Sequence, residues 1–201
     1  MDIILTMNIQ PLKYMAEKTE RGVVMAKNVL IVVDMQKDFV DGSLGTKEAL
    51  EIVPNVIKKV SGFDGDVIFT RDTHGENYME TQEGRLLPVV HCIKGTDGWE
   101  IIGELEKIRE KRGFPCYDKP TFGCTALAEN LKRLHETEGL ASVELVGLCT
   151  DICVVSNALL IKTYLPEVPI SVDAACCAGV TREKHEAALE TMRSCQIQVK
   201  P

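Results

Sequence analysis

Residues 142–160 read SVELVGLCTDICVVSNALL, and the hydrophobic pattern changes its period midway through them. SVELVGL (142–148) is a short, continuously apolar run of the kind that forms a strand buried on both faces. CVVSNALLIKTYL (153–165) is a helical pattern, so the chain is expected to pass from strand to helix across one short bend. The strand pattern recurs at NVLIVV (28–33), DVIFT (66–70) and VPISV (168–172), and more weakly at PCYD (115–118) and QIQV (196–199). Helical patterns lie between these runs, at residues 46–60, 99–110, 125–136 and 181–195. In the first, Leu50, Val53, Val56, Ile57 and Val60 share a face and Pro54 is expected to kink the helix. Thr181 is read as the N-cap of the last. Strand and helix alternating over the whole length imply right-handed crossovers, hence an α/β chain: three α/β/α layers around a mostly parallel six-stranded sheet.

The 201 residues suffice for one substantial core, and the 45% apolar content is that of a globular chain. A net charge of −7 argues against nucleic acid or an anionic membrane as partner. No apolar run approaches the ~20 residues that span a bilayer. The opening MDIILTMNIQ carries Asp2 where a secretory signal has positive charge. The eight cysteines are therefore expected to be reduced, in the cytoplasm. MAKNVLIVVD, from Met25, reads as the domain's start, so residues 1–24 are expected to be an extension that packs on the body, residues 25–201, or on a neighbouring subunit.

Chemistry collects where strands end, which is where open α/β sheets bind ligands. Asp34 closes the first strand, as an N-cap to the following turn or as a general base tuned by burial and a neighbouring cation. Lys119 follows the short strand at 115–118. Residues 71–98 read as one long irregular loop, a length usually functional in a compact domain. It holds Asp72 and His74 as D-x-H, with His91 seventeen residues later, a donor set that suits Zn²⁺, Mn²⁺ or Fe²⁺. Cys153 falls at or near the first position of the helix that follows 142–148, where the helix N-terminus favours a thiolate. Cys149, on the bend, is expected to contribute its backbone N–H. Cys92, Cys116, Cys124, Cys176, Cys177 and Cys195 are read as packing residues, and His135 and His185 as surface or core fillers away from the strand ends.

In this order, VVDMQKDFVDGSLGT, TRDTH, LPVVHCIKGTDGWE, DKPTFG and GLCTDICV resemble the isochorismatase-like cysteine hydrolases, the nicotinamidase branch best, from about Met25 to the C-terminus. The resemblance implies that family's Rossmann-like fold, with Asp34, Lys119 and Cys153 as catalytic residues and the backbone N–H groups of Cys149 and Cys153 as oxyanion hole. It implies one divalent metal ion (Zn, Fe, Mn or Mg) on Asp72, His74 and His91, with Glu83 touching the metal or its water, and a cis peptide before Cys149. Thr73 stands where nicotinamidases commonly carry Trp, and Pro88, Val89 and Val90 precede His91 where many have an aromatic. Phe39, Phe122 and Tyr78 are the ring-bearing candidates for the substrate pocket. The expected activity is hydrolysis of a small primary amide, nicotinamide or a relative, to carboxylate and ammonia, by a homo-oligomer. The competing readings are N-carbamoyl amide hydrolysis on the same scaffold and a non-catalytic metal or thiol redox sensor with Cys149 as resolving cysteine.

Overall fold

The computed structural model describes residues 26–201; the expected 1–24 extension and the domain start at Met25 lie outside the described residues. Six strands, β1 (Lys27–Val33), β2 (Asp66–Asp72), β3 (Cys116–Lys119), β4 (Leu140–Leu148), β5 (Ile170–Ala178) and β6 (Gln198–Lys200), form one sheet in the order β3-β2-β1-β4-β5-β6. Every neighbouring pair is parallel. The helices are α1 (Lys37–Val40), α2 (Lys47–Gly62), α3 (Gln82–Leu86), α4 (Gly103–Arg112), α5 (Thr125–Glu138), α6 (Val155–Tyr164) and α7 (Arg182–Ser194).

Both sheet faces are covered, which is why the strands read as unbroken apolar runs. In β1, Val29, Ile31 and Val33 enter the core shared with α5, α6 and α7, while Leu30 and Val32 enter the core beneath α2 and α4. The chain lays β2 and β3 on one side of β1 and then β4, β5 and β6 on the other. The strand order therefore reverses between β1 and β4, and ligands bind at the crevice such a reversal opens. Gly147 lets β4 approach there: at φ 115° it pairs with Val33, and a Cβ would lie 2.1 Å from the Val33 carbonyl oxygen.

Several boundaries differ from the sequence reading for definable reasons. Helix α2 is continuous through Pro54, which is exposed, so the carbonyl that loses its donor, that of exposed Leu50, lies on the solvent side. Its buried face is Ala49, Ile52, Val56 and Val60; Leu50 is 50% exposed, while Val53 and Ile57 pack at the edge. Trp99 ends a 3₁₀ turn and residues 100–102 are not helical, because Ile101 is drawn into a bridge with Gln36 and into the core, so α4 begins at Gly103. Strand β5 runs past residue 172 through a bulge, since Leu145 pairs with Val172 but Gly147 with Cys177. Residues 71–98 are not one structureless loop: Asp72 still belongs to β2, and α3 and two short 3₁₀ turns, Tyr78–Glu80 and Asp97–Trp99, organise the rest. Thr181 caps α7 as expected, accepting from the Lys184 N–H.

Candidate active site

Asp34, Asp72 and Lys119 leave the ends of β1, β2 and β3, and Cys149 to Cys153 follow β4, so four adjacent strands deliver them to one point. Lys119 is its centre. The fully buried ammonium lies 2.7 Å from Asp34 Oδ2, 3.3 Å from Cys153 Sγ and 3.3 Å from Asp72 Oδ1. A lysine this deeply buried persists only where carboxylates such as these pair with it. Burial works to discharge it, but Asp34, Cys153 and Asp72 outweigh burial and hold it charged, its pKa above the ordinary lysine value. Burial pushes Asp34 up, against the pull of Lys119. The other Asp34 oxygen accepts from Thr70 Oγ1 at 2.7 Å.

Cys153 departs from the expected placement. It is not the first helical residue but the fourth of a π-type turn, Thr150–Val154, in which Val154 N–H donates to Cys149 O at 3.0 Å. Burial, then the Asp34 carboxylate, push its thiol well above the ordinary value, and Lys119 only partly opposes them. The helix terminus therefore does not supply a resting thiolate; the thiol faces a base and a cation instead. Cys149 begins the turn after a cis Leu148–Cys149 peptide, and burial raises its thiol to about 12.

Beside this cluster Asp72, His74, Glu83 and His91 bring one ligand atom each within 4.8 Å of one another. His74 Nε2 is buried and makes no directed hydrogen bond, although Asp72 Oδ2 is 2.9 Å away. His91 Nε2 is 3.6 Å from the same oxygen, and Glu83 Oε1 is 3.7 Å from His74 Nε2. His91 Nδ1 donates to the Val89 carbonyl at 2.8 Å, which fixes the tautomer and leaves Nε2 a free lone pair. Donors that crowd a point without bonding one another fit a divalent cation. Burial alone would raise Asp72, but the neighbouring imidazoles of His74 and His91 and the charge of Lys119 hold it well below the carboxylate range.

A cavity of ≈ 580 Å³ opens onto Cys153, Cys149, Asp72, Glu83 and His91, with Phe39 and Phe122 among its walls. Tyr78 is not a wall. It is buried behind the imidazoles, its ring 4.7 Å from His74 and 5.0 Å from His91, and its hydroxyl donates to Leu87 O. Thr73 also turns away from the cavity and accepts from Trp99 Nε1 at 2.9 Å, and Leu86 and Leu87 line the wall in place of residues 88–90.

Three supporting residues escaped the sequence reading. Gln36 accepts from Asp72 N and donates to Asp72 O and Trp99 O, gripping the backbone of a metal-ligand candidate. Asp38 Oδ2 accepts from Cys92 N, next to His91. Asn157 bonds to Cys153 O at 2.8 Å. Gln36 and Asp38 lie in the same VVDMQKDF stretch as Asp34, but nothing in their spacing marks Gln36 as buried or Asp38 as a partner of Cys92. Of the filler residues, His185 does reach a strand end, with Nδ1 2.8 Å from Thr150 Oγ1, and His135 Nδ1 accepts from Leu140 N. All eight cysteines are free, and Cys195 is exposed rather than packed.

Residues 28–200 match the isochorismatase domain. The nicotinamidase/pyrazinamidase of Mycobacterium tuberculosis is 26% identical over 85% of this chain and 96% of its own length. The crystal structure of a nicotinamidase/pyrazinamidase from Bacillus subtilis superposes with a TM-score of 0.75 at 29% identity, covering 87% of this chain and all of that one (100%). The pyrazinamidase of Pyrococcus horikoshii in complex with zinc gives 0.71 at 27% identity, over 86% and 98% of the two chains. Its strand order, its site and these similarities agree that the chain belongs to the isochorismatase family.

Proposed function

We propose that the protein is a metal-containing cysteine amidase that hydrolyses nicotinamide or a related small primary amide to carboxylate and ammonia. The observation that carries this reading is the position of Lys119, which touches together the thiol of Cys153, the carboxylate of Asp34 and the metal-ligand candidate Asp72, two of which, Cys153 and Asp72, line one cavity.

In the reaction Asp34 accepts the thiol proton as Cys153 Sγ attacks the amide carbon, and the carbonyl electron pair moves onto oxygen. The backbone N–H groups of Cys149 and Cys153 receive that oxyanion, each such donor being worth ~3 kcal/mol in the transition state. Lys119 remains charged and holds Asp34 and the sulfur together. Asp34 then gives its proton to the leaving nitrogen, ammonia departs, and a thioester remains. Water attacks the thioester while Asp34 takes one of its protons; the tetrahedral adduct then collapses to the acid as its C–S bond breaks, and Asp34 returns that proton to the departing sulfur to regenerate the thiol. When bound, a divalent ion on Asp72, His74 and His91, with Glu83 beside it, supplies a Lewis-acidic anchor for a heteroatom of the substrate. Phe39 and Phe122 offer apolar walls to the ring.

A redox sensor is the weaker reading, because Cys153 shares its cluster with a base, Asp34, and a cation, Lys119, which equip a nucleophile and which a resolving cysteine does not need. Among the described residues no helix is long and apolar enough to cross a membrane. Free thiols suit a reducing cytoplasm, and exposed Leu86, Val90 and Phe122 offer surface that a homo-oligomer would cover.

Ammonia release from a panel of nicotinamide, pyrazinamide, aliphatic amides and N-carbamoyl amines, after reconstitution with Zn²⁺, Mn²⁺ or Fe²⁺, tests the proposal. Turnover of a primary amide is expected, abolished in Cys153→Ala and largely kept in Cys149→Ala, which retains the backbone N–H. A preference for N-carbamoyl amines would move the substrate class. No ammonia from any member would overturn the amidase reading.

A further inference from the structure

The turn that carries Cys153 has no capping side chain at its own start, nor does the junction where it runs into α6. Two of its hydrogen bonds span five residues, from Val154 N–H to Cys149 O and from Val155 N–H to Thr150 O, beside three-residue bonds from Ile152 N–H to Cys149 O and from Val155 N–H to Ile152 O. Slipping by one residue to ordinary four-residue bonding would rotate the residues before the turn against those after it by ~100°. Such a slip would move Sγ away from Lys119. Something must hold the wider register.

Asn157, in the first turn of α6, is fully buried and spends its amide on three backbone groups. Nδ2 donates to Cys153 O at 2.8 Å and to Phe122 O at 3.0 Å, and Oδ1 accepts from Cys124 N at 2.9 Å. Phe122 and Cys124 belong to the segment between Lys119 and α5, whose Pro120, Thr121 and Phe122 line the cavity. One side chain thus ties the turn that holds the thiol to the segment that follows the lysine. An amide buried in a core persists only with its partners made, and here all of them are backbone groups of the site.

We propose that Asn157 is a positioning residue: through Cys153 O it holds the π-type turn that sets the thiol against Lys119, and through Phe122 O it fixes the outer wall of the substrate cavity. The inference rests on the reading of Cys153 as nucleophile. Its two bonds have separable consequences, since one concerns attack and the other substrate binding.

Asn157→Thr and Asn157→Val separate them, because the two side chains share a shape and differ by one hydroxyl. A threonine hydroxyl in a helix bonds to the carbonyl four residues back, here that of Cys153, and is too short to serve Phe122 as well. In Asn157→Thr the rate of iodoacetamide labelling of Cys153 at fixed pH should stay within about threefold of the parent, and kcat likewise, while KM rises several-fold. In Asn157→Val both labelling and kcat should fall on the order of 100-fold, the usual cost of an ångström's misplacement at a reacting centre. Metal content should be unchanged in both, which global loosening would not allow. If the valine chain is insoluble, Asn157→Ser against Asn157→Ala repeats the comparison at smaller volume. Equal behaviour of the members of a pair, with an active parent, overturns Asn157's role and leaves the amidase reading standing. A parent whose Cys153 resists labelling removes the nucleophile reading, and this inference with it.

Discussion

Lys119 shows how far one residue's meaning depends on its surroundings. By residue type it belongs at the surface; in the fold it is buried against two carboxylates and a thiol. Its charge opposes the rise that burial and Asp34 impose on Cys153. Lys119→Met removes that opposition and leaves Asp34 from β1 and Asp72 from β2 facing the sulfur, so the thiol moves further up. Labelling of Cys153 should then be slower at neutral pH and recover only in clearly more alkaline solution, followed by mass spectrometry from about pH 5 to 10. An unshifted profile would separate Lys119 from the thiol. Lys119→Arg keeps the charge but needs room for a planar guanidinium, so it should not restore the parent's rate.

Within single elements the contrasts are as sharp. Helix α2 carries Leu50 and Ile52 two residues apart, and periodicity alone placed Leu50 inside; the structure buries Ile52 at 7% exposure and leaves Leu50 at 50%. Ile52→Ala should cost about 2–5 kcal/mol in urea unfolding, and Leu50→Ala less than about 0.5 kcal/mol. Equal losses would place the buried face elsewhere. The strand-to-helix bend at 149–154 shows the other limit of pattern reading. Alternation between strand and helix was legible at residues 142–165, but a five-residue hydrogen-bond span has no period of its own in such a short turn. Cys153 was found for its position near a helix start, and that position was three residues into the turn rather than at its first residue.

For the whole molecule, the decisive feature is the reversal of strand order between β1 and β4. It brings the ends of β1, β2, β3 and β4 to one crevice, so a metal-ligand set and a nucleophile distant in sequence share Asp72 and Lys119. Metal content should follow these ligands. The parent, loaded with Zn²⁺ and desalted, should carry about one ion per chain by elemental analysis, and His74→Ala or His91→Ala should lose it, since each removes one of a minimal donor set. Full metal in both variants would move the site away from residues 72–91.

What the sequence by itself determined is whatever local chemistry dictates. Apolar runs marked the strands, 3.6-residue periods the helices, and the ordered set of short motifs named Asp34, Lys119, Cys153, Asp72, His74 and His91. Those signals are local because backbone hydrogen bonding and one-sided burial act over a few residues. Only the tertiary structure decided which of these groups touch, that Tyr78 stands behind the imidazoles rather than in the cavity, and that Gln36, Asp38 and Asn157 hold the site's backbone. Gln36 is held by partners 36 and 63 residues away and Asp38 by one 54 residues away, and no period along the chain records a hydrogen bond of that span.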